Sequence, residues 1–244
     1  MSPDAYLEMA ETEAGHWWFR GRRDILATVL TGLALPRDAS ILEIGAGTGG
    51  NLAMLSQFGN VSAVEMDDTA LQLARDKTHG VYDIRSGRCP DEMPFPDRSF
   101  DLVCLLDCLE HIGDDAGSLA CAGKLLKPGG AVLITVPAYQ WLWSRHDVFL
   151  HHQRRYSRRS LQALVTRCGL RLDRISYFNT LLSPLAIAAR VSDQVRASEK
   201  ATGAGIPSQP INSALHALFS AERHWLARGS LPFGISLMAI VRAS

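Results

Sequence analysis

The chain has no charge of one sign to spare: 25 Lys and Arg balance 25 Asp and Glu. No global positive field therefore favours a nucleic-acid partner. Cysteine is scarce, and Cys89, Cys104, Cys108, Cys121 and Cys168 lack the paired spacing of a zinc site or a disulfide framework. Scattered cysteines of odd number predict a reduced, cytoplasmic protein. No apolar run reaches bilayer length, because the stretch from Leu181 to Val191 is short and contains Pro184 and Arg190. The polar, acidic first residues show no secretory signal, and no repeat or low-complexity tract stands out. Aromatic residues make up only 7% of the 244 positions, so places where they crowd together are informative. What remains is the ordinary composition of a globular chain, long enough for one large domain with additions.

The chain is organised around Ser40 to Asn51, SILEIGAGTGGN. Ile41, Leu42 and Ile44 suit a buried parallel strand. Gly45, Gly47, Gly49 and Gly50 then force a sharp turn and let a ligand approach the backbone. Leu52, Met54 and Leu55 resume at helical spacing, which puts the loop at a strand C-terminus, where open α/β sheets bind ligands. Gly45, Gly47 and Gly50 also satisfy the dinucleotide pattern, which alone is a weak signal. Glu43 argues against a pyrophosphate, since a carboxylate just before the glycines would repel it. It suits a ligand that carries an ammonium and a sulfonium.

On these residues the stretch resembles motif I of the class I S-adenosylmethionine-dependent methyltransferases, an acidic residue, one apolar residue and G-x-G-x-G. Two later segments fit the resemblance in order: Pro94 to Asp101 (PFPDRSFD), and the LLKPGG turn before AVLITVPAY. The family implies a Rossmann-like seven-stranded α/β sheet, predominantly parallel with an antiparallel last strand, and S-adenosylmethionine as cofactor. Strands are expected at Val61–Met66, Val81–Ser86, Asp101–Leu106, Ala131–Val136, Leu170–Phe178 and Gly234–Arg242. Glu65 lies about twenty residues beyond the first glycine, the spacing of a carboxylate that accepts from ribose hydroxyls. The cofactor set is thus Arg22, Glu43, Gly45, Ala46, Gly47, Gly49, Glu65, Met66, Cys89 and Asp107. Where relatives often carry an adenine-binding aspartate, this chain offers Arg88 and Cys89, so backbone groups around Cys89 are expected to serve.

Three segments bear on the acceptor. In DCLEHI, Asp107, Glu110 and His111 would share one helical face and act as a base cluster or as cation ligands. His and two acids at one helix start are incomplete as a metal site, so no metal is expected. HWWFRGRR, from His16, sets two tryptophans beside arginines, which suits either a plug over the sheet or a lid over the site. PAYQWLWSRHDVFLHHQRRYSRRSL, from Pro137, holds the densest chemistry. A bacterial methyltransferase subfamily has a similar W-S-x-H-D…H-x-R-R-Y segment, often with an HWWF-like N-terminus. That likeness implies His111, His146 and His152 as base candidates with Asp147 as orienter. Trp17, Trp18, Trp143, Arg154, Arg155 and Tyr156 would bind an anionic acceptor.

The expected organisation is a single domain over 1–244, with an N-terminal helical lid over 1–36 and a helical insertion over 179–230 that breaks at Thr202 to Pro210. The expected reaction is methyl transfer to a hydroxyl, or an amine, of a small or carrier-linked metabolite. No transmembrane segment is expected, and peripheral membrane contact is left open. A cofactor-binding partner subunit without catalysis is the competing reading. An NAD-dependent oxidoreductase is opposed by Glu43, PFPDRSFD and LLKPGG.

Overall fold

Strand β1 (Ser40–Ile44) is buried on both faces from Ile41 to Ile44, Glu43 included, and sits inside the sheet between β2 (Asn60–Glu65) and β4 (Phe100–Leu106). In the computed structural model, which describes residues 3–195 and 205–243, these strands run parallel with β3 (Asp83–Ser86) and β5 (Leu126–Pro137). The chain then crosses to β6 (Leu170–Phe178) at the far edge, and β7 (Ser236–Ala243) inserts antiparallel between β5 and β6. The seven strands follow the order β3-β2-β1-β4-β5-β7-β6, so the antiparallel last strand is as expected. Strand order reverses between β1 and β4, which opens a crevice at their C-terminal ends.

Alternation along β1 decides which side chains meet which helices. Ile41 enters the core beneath α2 (Trp17–Thr31), with Ile25, Leu26, Val29 and Leu30. Leu42 and Ile44 enter the opposite core, with residues of α5 (Asp115–Lys124) and α7 (Arg158–Arg167). Glu43 shares the side of Ile41 and therefore faces the layer that carries Arg22.

The first core is completed by α4 (Asp68–Lys77) and by helices from the 179–230 segment. Asp67 caps α4 by accepting from the Thr69 and Ala70 amides. Helix α9 (Gln209–Ser220) lies on α2, and a Cβ on Gly21 would stand 2.6 Å from the Phe219 ring, so glycine there permits the close crossing. The Trp17 ring packs edge-on against Phe219 at 5.8 Å. Shorter helices are α1 (Pro3–Thr12), α3 (Leu52–Leu55), α6 (Arg145–Phe149) and α10 (Arg223–Leu226), with α8 (Ser183–Val195) after β6. The expected break at Thr202 begins outside the described residues.

Two local expectations differ from the structure. Strand β5 begins at Leu126 and not at Ala131, because Leu126 already pairs with Phe100 and the register shifts before Leu102 pairs with Ala131. DCLEHI does not make an α-helix: Leu109–His111 is a single 3-10 turn, and Asp107 stands before it at φ +52°. Among the described residues, no helix is long and apolar enough to cross a membrane.

Candidate active site

The glycine loop takes the backbone shape that its composition requires. Gly45, Gly47 and Gly49 have φ of +73°, +54° and +78°. A Cβ on Gly45 would lie 2.3 Å from Cys108 Sγ, whereas one on Gly47 would meet nothing within 4 Å. The loop thus packs tightly on one side and leaves its backbone open on the other. Ala46 is buried and its amide donates to Val64 O at 3.1 Å. Glu65, at the end of β2, accepts from the Gly47 amide at 2.7 Å and from the Met66 and Asp67 amides at 2.9 Å. Burial pushes its carboxyl up, and these amides work against that shift.

Across the crevice Arg22 is 5% exposed, pairs with Asp107 and donates to Asn51 Oδ1 at 3.1 Å. Its guanidinium sits 5.0 Å from the Trp18 ring centroid. Asn51 in turn donates to Glu43 Oε1 at 2.7 Å. Burial pulls Arg22 down to about 10, so it stays protonated at neutral pH. Burial pushes Glu43 up to about 7, opposed by the Asn51 bond and by Arg22. Glu43 Oε2 and Arg22 Nε are both buried without a hydrogen-bond partner among the described residues. An orphan carboxylate oxygen, an orphan guanidinium N–H and an open Gly47 backbone fit the ammonium, carboxylate and ribose of S-adenosylmethionine. Met66 is 58% exposed beside this site, and Cys89 turns inward toward Ser118 O at 3.8 Å.

Residues of α1 and its C-terminal side also reach the loop, which the sequence reading missed. Tyr6 is buried, and burial followed by the charges of Glu65 and Asp67 raises its hydroxyl pKa. Glu13 accepts from Thr48 Oγ1 at 2.6 Å and pairs with Lys77. Nothing in the local sequence marks Glu13 as a partner of the loop. Asn51 was readable only as the residue that ends the glycine run.

The second part of the site joins the 3-10 turn to the segment after β5. Glu110 O accepts from the Gln153 amide at 2.8 Å, and His111 O accepts from Gln153 Nε2 at 2.9 Å. The His111 and His152 rings meet edge-to-face with centroids 4.6 Å apart. Asp147 is fully buried and lies 2.8 Å from His152 Nδ1. It also accepts from Arg155 Nε and Nη2 at 2.8 and 3.1 Å, and from the Ser144 amide at 2.8 Å. Burial alone would raise the Asp147 pKa, but the bonds from His152 and Arg155 hold it well below the usual range. An ionised carboxylate only accepts, so His152 Nδ1 carries a proton toward it, and in the neutral form of the ring Nε2 holds the lone pair. Burial pushes Glu110 up to about 8 and draws His111 down to about 3.

Several expected roles change. Asp147 orients His152 rather than its neighbour His146, because adjacent positions on α6 point to different sides. Burial and then Arg190 lower His146 to about 4. Arg155 is spent on Asp147 and on Ala138 O at 3.0 Å. Arg154 pairs with Asp115 at 3.0 Å and donates to Gly113 O, while the Tyr156 hydroxyl donates to Asp115 at 2.9 Å. These three side chains each take partners from the chain itself. Trp17 is taken up by Phe219 as described above, and Trp143 is half-buried before Ser144. Asp107, drawn to Arg22, leaves the Glu110–His111 pair, and His152 takes its place.

Residues 16–175 match the protein family described as a methyltransferase domain. The demethylmenaquinone methyltransferase of Tropheryma whipplei (strain Twist) is 30% identical over 103 residues, which are 42% of this chain and 43% of that protein. The ubiquinone/menaquinone biosynthesis C-methyltransferase of Vibrio vulnificus (strain YJ016) is 28% identical over 125 residues, 46% of this chain and 47% of that protein. The matched stretches thus span under half the length of these curated relatives. Among solved structures, Haemonchus contortus phosphoethanolamine N-methyltransferase 2 with S-adenosyl-L-methionine has a TM-score of 0.58 at 20% identity, covering 90% of this chain and 52% of that one. The [4+2]-cyclase SpnF has a TM-score of 0.58 at 15% identity, covering 90% and 80%. The fold is therefore shared by proteins of different reactions, but the family match spans most of the sequence, including the glycine loop, Glu65 and the His152 segment. The chain belongs to the class I S-adenosylmethionine-dependent methyltransferases.

Proposed function

We propose that the chain methylates a hydroxyl of a small or carrier-linked acceptor, using the Asp147–His152 pair with His111 and Glu110 to remove the acceptor's proton. The observation that carries this reading is the His152 ring, fixed by Asp147 at 2.8 Å so that Nε2 is the basic nitrogen beside His111. S-adenosylmethionine supplies a methyl group on a sulfonium, which needs a positioned, electron-rich acceptor and no covalent step on the protein. Glu65 would hold the ribose; Glu43, Arg22 and Asp107 the charged amino-acid end; Met66 and the Cys89 backbone the adenine. With Arg154 and Arg155 matched internally, a neutral phenolic or enolic hydroxyl fits better than an anionic acceptor. One curated relative is named a demethylmenaquinone methyltransferase and the other a C-methyltransferase of ubiquinone/menaquinone biosynthesis, so transfer to carbon is the competing outcome of the acceptor screen.

Calorimetric titration with S-adenosylmethionine, its demethylated product and NAD tests the cofactor, and a screen of phenols against amines tests the acceptor. Binding of the first two, with methylated phenol formed, is the expected result. Cofactor binding with no methylated product in either class would favour a non-catalytic partner subunit.

Two further outcomes are expected at the cofactor end. Glu65→Ala should weaken S-adenosylmethionine binding by about 1.5–3 kcal/mol, the worth of a hydrogen bond to a charged group. Unchanged affinity would remove Glu65 from the site. Glu43, at about 7, is partly protonated in the free protein, and a cationic ligand favours its ionised form. Affinity should therefore rise as pH increases from about 6 to about 8, with proton release visible as a buffer-dependent heat. Glu43→Gln should flatten that profile; a slope that persists would assign the proton elsewhere.

A further inference from the structure

We infer that Glu110, His111 and His152 bind one divalent first-row transition-metal ion, with zinc as the reference. Each residue offers one ligand atom, and these atoms lie within 4.8 Å of one another. Metal–ligand bonds of about 2.0–2.2 Å place the ligands of one ion at most about 4.4 Å apart, so small side-chain rotations close the set.

Three independent features prepare these groups as ligands. His152 gives Nδ1 to Asp147 at 2.8 Å, the carboxylate–histidine arrangement that orients a ligating imidazole and raises its basicity. The His111 ring has a backbone partner in His151 and meets the His152 ring edge-to-face at 4.6 Å, which holds it beside the other ligand atoms. Glu110 is 1% exposed, and its Oε2 has no hydrogen-bond partner among the described residues. A buried carboxylate oxygen left unmatched is costly, and a cation supplies its partner. Gln153 braces the arrangement by bonding the Glu110 and His111 carbonyls at 2.8 and 2.9 Å, which ties the two segments together.

Two imidazoles and one carboxylate suit zinc, iron, cobalt or manganese, whereas magnesium and calcium prefer oxygen alone. The sequence expectation of no metal rested on Asp107, Glu110 and His111 at one helix start. Asp107 is held by Arg22, and His152 from a distant segment completes a different set. Three protein ligands leave positions for an acceptor oxygen, whose proton the ion would acidify. In that role, which rests on the proposed methyl transfer, ligation of His152 Nε2 replaces its action as a free base: the proton of the bound oxygen would pass to solvent as the oxygen–methyl bond forms and the sulfur–methyl bond breaks to a neutral thioether. Ion binding itself does not depend on that reading.

The test uses the full chain after dialysis against a chelator, titrated with zinc by calorimetry and with cobalt by visible absorption. One equivalent of zinc should bind without competition from magnesium. His152→Ala and Glu110→Gln, the latter keeping the side-chain shape, should each weaken binding by about 100-fold or more, beyond the effect of losing an outer partner. Cobalt should give weak ligand-field bands without thiolate charge transfer. Absence of saturable binding, binding that survives both substitutions, or a thiolate band that places the ion on cysteine would each overturn the site. S-adenosylmethionine is titrated into the same samples. Zinc binding without cofactor binding would remove the methyl-transfer reading and leave the metal site standing.

Discussion

Replacing Asp147 by Ala is expected to destabilise the protein by about 3–5 kcal/mol, the cost of removing one partner from a buried ion pair. Asp147 is fully buried, and Arg155, 8% exposed, directs both Nε and Nη2 at it. Without the carboxylate the guanidinium keeps, among the hydrogen bonds of its side chain described above, only the one to Ala138 O. The Ser144 amide loses its acceptor at the start of α6, and His152 loses the group that orients it. Urea unfolding measures the effect, and Asp147→Asn should fall between Ala and the native residue because it keeps shape but not charge. A loss below about 1 kcal/mol would show that water replaces the carboxylate, as at an exposed pair. The native pair also has a pH signature. A depressed folded-state pKa contributes stability that is present above the ordinary aspartate value near 3.9 and is lost only as pH falls well below it.

The second large effect is on turnover. His152→Ala should lower kcat by about 10²–10⁴-fold, the usual range for losing a positioned acid–base group, with S-adenosylmethionine affinity changed by less than about twofold. The separation follows from the layout. His152 is bonded to Asp147 and packed on His111, whereas Glu65, Glu43 and Arg22, the groups proposed to hold the cofactor, bond to the glycine loop, Asn51 and Asp107. Equal losses in kcat and in cofactor affinity would make His152 a structural residue that holds both parts together. His146→Ala should have a smaller effect on kcat than His152→Ala, because Asp147 hydrogen-bonds His152.

Local features were legible in the amino-acid order because they are decided by neighbouring residues. Gly45, Gly47 and Gly49 announced positive φ, the SILEI run announced a buried strand, and Glu65 announced itself by its distance from the loop. Asp67 and Ser157 each stand just before a helix and accept amides of its first turn, a role that adjacent residues decide. The strand content and the antiparallel end of the sheet followed from the family resemblance carried by those motifs.

The partners of charged and aromatic side chains were decided only by tertiary structure. Arg155 was read as a substrate ligand because an arginine beside tyrosine and histidine suits one, yet the turn of α6 brings Asp147 beneath it. Asp107 was grouped with Glu110 and His111 by helical spacing, but the positive φ at Asp107 and the 3-10 turn separate them. Trp17 could have covered the site, and the approach of α9 through Gly21 gave it Phe219 instead. Backbone preference acts over a few residues and is therefore written locally. A buried charge takes whichever counter-charge the packing of distant segments brings within reach, and the chain order does not contain that distance.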